Sequence, residues 1–137
     1  MRLYFDEDVG KGIPNALRGV GVGDVVYPGK YNRGRGKTQL RVERGFKDWQ
    51  WIPVVGIDGY LAISYNHHML DVDIERQLLI QNMDGIVYIM CGREISLNVL
   101  RLILQKWEWL EALYETEPRP FAYKLRMSGH ARRDPRV

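Results

Sequence analysis

Asp6, Glu7 and Asp8 stand in succession behind the apolar run Leu3-Tyr4-Phe5, and Gly10 and Gly12 follow them. Carboxylates packed this closely repel one another, so a fold that keeps them together serves a cation or a basic partner. The plainer alternative is a solvated strand-to-helix turn with Asp8 as an ordinary helix cap. Two later positions can join the cluster. Asp48 opens Asp48-Trp49-Gln50-Trp51-Ile52-Pro53-Val54-Val55, and Asn66 closes Tyr60-Leu61-Ala62-Ile63-Ser64-Tyr65-Asn66. Two carboxylates and an amide carbonyl make a hard, oxygen-only set suited to Mg2+ or Mn2+. An ion held this way activates water and stabilises the charge that builds up on a phosphodiester under attack. Asn lacks the charge of a carboxylate; Asp71, Asp73 or Glu75 on the next segment can compensate.

Other chemistries are less well served. His67-His68 suggests a transition metal or a general base, but adjacent loop histidines are commonly plain surface residues; near this site they would contact phosphate or hold water. Ser64 has no histidine–acid pair spaced to activate it. The Gly-x-Gly steps in 19–23 and 34–36 lack the Lys-Ser/Thr of a phosphate loop. The single cysteine, Cys91, excludes an internal disulfide and most cysteine-based zinc sites. Trp49 and Trp51 either stack bases or fill the core.

The elements that must position these residues follow from pattern. Leu3–Phe5 reads as a buried parallel strand with the acids at its carboxyl end, where ligands sit in open parallel sheets. Ile13, Ala16, Leu17 and Val20 recur at helical spacing, Pro14 suits a first turn, and Gly19, Gly21 and Gly23 end the helix. Asp24–Tyr27 predicts a second strand, Tyr60–Tyr65 a third and Ile86–Met90 a fourth. A short helix precedes the third strand, with Asp48 as its cap and Pro53 fitting only a first turn or a kink. Asp71–Met83 predicts a helix with Ile74, Leu78 and Leu79 inward. Ser96 caps a long helix from Leu97 to about Tyr114, with a stripe of Leu100, Ile103, Leu104, Trp107 and Leu110. Phe121–Met127 reads as a last, edge strand. If the first and third strands are neighbours, Asp6 and Asn66 reach one ion, and a short helix lets Asp48 reach the same edge.

Its 137 residues, 45% hydrophobic and 27% charged, are enough for one domain with a genuine core. No apolar run is long enough to span a membrane and no secretory pattern opens the chain, which predicts a cytoplasmic protein. Net charge is only +3, but cations cluster. Between Lys30 and Lys47, Lys30, Arg33, Arg35, Lys37, Arg41, Arg44 and Lys47 stand against Glu43 alone, and the Gly-rich 29–46 stretch lacks an apolar period. Within it, Lys37–Arg44 fits a β-ribbon or a helix turn. Lys124, Arg126, Arg132, Arg133 and Arg136 form a second cluster that closes the chain, and 128–137 reads as a basic, loose tail. Such clusters suit RNA through phosphate contacts, or are plain solvated loops.

Taken together, Tyr4-Phe5-Asp6-Glu7-Asp8, Asp48-Trp49-Gln50-Trp51-Ile52-Pro53 and Gly59-Tyr60-Leu61-Ala62-Ile63-Ser64-Tyr65-Asn66 resemble the small PIN-like domains, relatives of the toxin ribonucleases of bacterial toxin–antitoxin pairs. In that family the first strand ends in an Asp-Glu pattern, a helix opens with Asp, and the next strand ends in a Thr-x-Asp-like step. Arg119-Pro120-Phe121-Ala122-Tyr123 is similar to the closing segment of one branch. The resemblance implies a three-layer α/β sandwich with a mainly parallel sheet of four to five strands, residues 1–127 forming one domain. It also implies Mg2+- or Mn2+-dependent cleavage of RNA, metal and catalysis at Asp6, Asp48 and Asn66, and support from Glu7, Asp8, Asp71 and Asp73. Arg33, Arg35, Lys37 and Arg41 would grip the RNA. An antitoxin protein is the implied partner, and an exposed Trp107 or Trp109 would suit it or a homodimer. Ser64-Tyr65-Asn66 departs from the family step, and a module that binds RNA or protein without cutting is the alternative. A receiver-like phosphoacceptor domain fits less well, because it needs an Asp where Asn66 stands and a Lys late in the sheet, where Met90-Cys91-Gly92 stands.

Overall fold

A computed structural model describes residues 1–29 and 42–137. Arg33, Arg35, Lys37 and Arg41, expected to contact RNA, lie outside the described residues, as does most of the 29–46 stretch. The strands are β1 (Leu3–Phe5), β2 (Val25–Val26), β3 (Leu61–Ser64), β4 (Gly85–Met90), β5 (Phe121–Arg126) and β6 (Ala131–Arg133). They form one sheet in the order β2-β1-β3-β4-β5-β6. All pairings are parallel except β5 with β6. The helices are α1 (Gly12–Gly19), α2 (Asp48–Ile57), α3 (Asp73–Gln81), α4 (Ser96–Gln105) and α5 (Trp107–Thr116). Single 3-10 turns span Glu7–Val9 and His67–Asp71.

Side chains of the parallel strands alternate between two cores, because successive residues of a strand point to opposite faces. Leu3, Phe5, Ile63, Val87, Phe121 and Leu125 meet α1, α4 and α5 on one face. Tyr4, Ala62, Ile86, Tyr88 and Ala122 meet α2, α3 and the 67–71 turn on the other. Helices therefore cover both faces of the sheet, as a parallel sheet requires. No helix among the described residues is long and apolar enough to cross a membrane.

The sheet has six strands rather than four or five, and residues 128–137 are not loose. Arg126 accepts from Gly129 N–H at 2.8 Å and donates to the His130 carbonyl at 2.9 Å, closing a hairpin with Gly129 at φ 91°. That turn lays Ala131–Arg133 against β5, so β5 is interior. The predicted long helix is broken at Lys106. Its inward residues are Val99, Leu102, Ile103, Leu110 and Leu113, and Leu104 is exposed. This stripe would carry Lys106 inward. The break instead lets its ammonium lie over the Trp109 ring, 5.3 Å from the centroid. Trp107 and Trp109 are both partly buried, so neither stands exposed for a partner. Val20 and Ile74, predicted inward, are exposed. Pro53 sits in the body of α2, where it removes the bond to the Trp49 carbonyl.

Gly85 opens β4 beneath the buried Phe121 ring, and a Cβ there would come within 2.6 Å of it. Overpacking of this kind costs about 1–3 kcal/mol. Gly85→Ala is therefore expected to lower the melting temperature by several degrees in a circular-dichroism melt. An unchanged midpoint would show that Phe121 can move aside.

Candidate functional site

Register in the sheet builds the site. Phe5 pairs with Ile63, and Asp6 N–H donates to the Ile63 carbonyl at 2.9 Å. The acids that follow β1 thus leave the sheet beside Ser64-Tyr65-Asn66, at the carboxyl edge of two adjacent strands. Asp6 is only 8% exposed. Its Oδ1 accepts from Glu7 N–H at 2.7 Å and its Oδ2 from the Ser64 hydroxyl at 2.9 Å. Asp8 lies 3.4 Å from the same hydroxyl and accepts from Tyr65 N–H at 3.2 Å. Asn66 N–H donates to Ser64 Oγ at 3.1 Å. A hydroxyl carries one proton, so Ser64 can satisfy only one of the two carboxylates it bridges.

Asp48 opens α2 at the same edge. Lys47 precedes it as the cap, its N–H donating to Gln50 Oε1 at 2.8 Å, which places Asp48 in the first turn, where the helix dipole favours an anion. Its Oδ1 accepts from Trp51 Nε1–H at 2.9 Å, and the Trp51 ring packs on Tyr4 at 5.2 Å. Trp51 is therefore core, as the plainer reading had it, while Trp49 is 62% exposed. Glu75, in the first turn of α3, lies close enough to Asp48 for the two carboxyls to interact. Two carboxyl pairs result, Asp6 with Asp8 across Ser64, and Asp48 with Glu75 directly.

Their acidities record this crowding. Burial, then the Asp8 charge, pushes Asp6 up to about 7, against the lowering effect of Glu7 N–H and Ser64. Asp8 is raised by burial first, with Asp48 adding to it. Glu75 is raised by burial and then by Asp48. The Tyr4 hydroxyl is fully buried with no hydrogen-bond partner among the described residues. Burial chiefly, then Asp6, Glu7, Asp8 and Asp48, pushes its phenol above the usual range.

No protein-family model, curated protein or solved structure matches the chain. What the site can do is accordingly read from its own groups.

The remaining expected residues divide. Glu7 accepts from Gly45 N–H at 3.1 and 3.2 Å, holding down the chain that enters α2. Asp71 pairs with Arg136 at 3.1 Å and faces His68 at 3.8 Å. Asp73 pairs with Arg76 on its own helix. The carboxylate that the segment after β3 brings to Asp48 is thus Glu75, not Asp71 or Asp73. Asn66 contributes its backbone N–H to Ser64. His67 is held toward its neutral form by burial first and then by His68 and Lys124. Sequence reasoning missed Ser64 and Tyr4 as site residues. The signal was strand alternation, which puts a hydroxyl at the end of β3 level with the first acid after β1.

Among the described residues no group of three His, Cys, Asp or Glu side chains is assembled to hold an ion on its own. Mg2+ does not require one, since it keeps several waters and is commonly held by one or two carboxylates together with substrate phosphate. The donor set fits that mode. Its carboxylates repel one another, Asp6 is buried, and the orphaned Tyr4 hydroxyl feels their charge.

Proposed function

We propose that this chain is a metal-dependent endoribonuclease of PIN-like type, in the setting the resemblance implies, the toxin of a toxin–antitoxin pair. The observation that carries the reading is the shortage of positive charge and protons at the edge of β1 and β3. Asp6 and Asp8 share one hydroxyl proton, Asp48 and Glu75 press on each other, and no cation of the described chain is bonded to any of the four. Structural acids are normally matched by Arg or Lys partners, as Asp71, Asp73 and Asp134 are here. Several unmatched carboxylates crowded at one edge suit a divalent ion.

Asp6 and Asp48 would hold that ion, with Asp8 and Glu75 close by. When bound it supplies an activated water and a counter-charge for the phosphodiester. The chain's own groups prepare the site. Trp51 Nε1–H fixes the Asp48 carboxylate, Glu7 N–H and Ser64 fix Asp6, and Asn66 N–H fixes Ser64. Because burial and neighbouring charge hold Asp6, Asp8 and Glu75 toward their protonated forms, ion binding expels protons, so affinity rises with pH.

A second reading has its own support. Asn66 stands where the family step has a carboxylate, which favours a PIN-shaped module that binds RNA without cutting. Mn2+ titration followed by thermal shift, with RNA cleavage by wild type, Asp6→Ala and Asn66→Asp, separates the two. The nuclease reading expects wild type to cut and Asp6→Ala to be inert. Activity that appears only in Asn66→Asp would establish the non-cutting module instead.

A further inference from the structure

A cleft of about 400 Å3 lies on the same sheet face and edge as Ser64 but two strands away. Five of its nine lining residues are Lys or Arg, and Asp134 is the single carboxylate. Its floor is set by register. Ser64 pairs with Tyr88, Tyr88 with Lys124, and Lys124 with Arg132, so one row of side chains crosses β3, β4, β5 and β6. Like charges directly opposite on neighbouring strands are destabilising, and Lys124 and Arg132 form such a pair.

Among the described residues no carboxylate bonds to either, and Lys124 acts on Asp71 and Asp134 only through space. Arg136 takes both nearby carboxylates, Asp134 at 2.8 Å and Asp71 at 3.1 Å. Asp134 is held down to about 2, chiefly by its hydrogen bond from Arg136. Arg133 turns to Glu117 at 3.3 Å. Among the described residues, the side chains of Lys124, Arg126 and Arg132 make no hydrogen bond or ion pair, and His67 at the rim is biased toward its neutral form. The cleft is a concave surface with five cations against one lining carboxylate. Two strand spacings, on the order of 10 Å, separate Lys124 from Ser64, a span that a short run of nucleotides covers.

We infer that the cleft of β5 and β6, through Lys124, Arg126 and Arg132, binds the phosphate backbone of single-stranded RNA and leads it to the acidic edge at Ser64. The inference rests on the RNA reading above and adds to it the residues that grip the substrate. A flexible polyanion is favoured over an acidic protein because the three free cations line a concave surface beside a candidate phosphodiester site, and each phosphate contact releases bound counterions.

The test is fluorescence anisotropy of a labelled 12-nucleotide RNA in EDTA, so that binding is read without cleavage. Proteins compared are wild type, Lys124→Gln/Arg132→Gln, the wholly surface pair Arg126→Gln/Arg132→Gln, Arg132→Lys and, as a single charge loss on α4, Arg101→Gln. Circular-dichroism melts confirm folding. Both double variants are expected to bind about tenfold more weakly, and their slope of log affinity against log salt to flatten by roughly 0.7 per lost phosphate contact. Arg132→Lys and Arg101→Gln are expected to match wild type.

Wild-type affinity and slope in folded double variants would overturn the inference, as would failure of wild type to bind RNA. A poly-glutamate peptide of equal charge binding more tightly than the RNA would also overturn it, assigning the cleft to an acidic protein segment. Loss of binding in the cleft variants while wild type cuts nothing leaves the inference standing and removes the nuclease reading. Cutting by wild type with unchanged binding in the variants does the reverse.

Discussion

Asp6→Asn is expected to abolish Mn2+-dependent RNA cleavage, by about a thousandfold or more, and at the same time to raise the melting temperature of the ion-free protein. The first effect follows from losing a charged ligand, since metal stabilisation of the transition state amounts to several kcal/mol and each 1.36 kcal/mol is about tenfold in rate. The second follows from the site's geometry. Asp6 is buried against Asp8 and feels Asp48, and its carboxyl titrates at about 7 instead of its usual 3.8. Ionised at pH 8, it costs stability, because burial penalises the charge. An Asn keeps the oxygen that accepts from Glu7 N–H and places an N–H2 donor toward Ser64 and Asp8, supplying the missing proton. A gain of about 1–3 kcal/mol at pH 8 is expected, less than the full shift because neighbouring groups relax. Differential scanning fluorimetry and a gel-based cleavage assay measure the two sides. A variant that melts earlier and still cuts would make Asp6 a structural acid.

Asp84→Asn carries the largest expected change in pH dependence. Asp84 precedes β4 at the opposite edge of the sheet, 1% exposed, and both carboxyl oxygens lack a hydrogen-bond partner among the described residues. Burial pushes it up to about 8, moderated by the charge of Arg119. That guanidinium is itself committed to the carbonyls of Tyr60 at 2.8 Å and Gly59 at 3.2 Å. The folded protein thus binds a proton that the unfolded chain releases between about pH 4 and pH 8. Since the folded state holds more protons in that window, stability falls as pH rises through it. The contribution is full below the unfolded value near 3.8 and gone above the folded value near 8. Urea unfolding at pH 5 and pH 8.5 should show wild type losing about 2–4 kcal/mol that the isosteric Asn variant does not lose. Parallel pH profiles for the two proteins would show that Asp84 is solvated or paired in solution.

The sheet's centre was written plainly in the sequence because its strands are short apolar runs stopped by turn residues. Leu3–Phe5, Leu61–Ser64 and Gly85–Met90 all lie within a residue or two of the runs that predict them. Adjacency of β1 and β3, and Asp48 at the head of a short helix, follow from parallel crossover logic. The outer strand was hidden by its own composition. Ala131–Arg133 is basic on a surface edge, and only the Ser128-Gly129 turn announces it. The choice of Glu75 over Asp71 and Asp73 was not legible either. It depends on where Arg76 and Arg136 lie, and Arg136 is 65 residues from the aspartate it takes up. Ser64 was passed over because it was weighed as a nucleophile, whereas its role is to bridge two carboxylates.

The hydroxyl bridge between Ser64 and Asp6 spans 58 residues of chain. During synthesis at about 5–20 residues per second, the first acids leave the ribosome several seconds before the strand that seats them. The nascent segment therefore carries its carboxylates solvated, and ordering of the pocket waits for the middle strands to pair. The acidic edge is, by this arrangement, unassembled until nearly half of the chain has emerged.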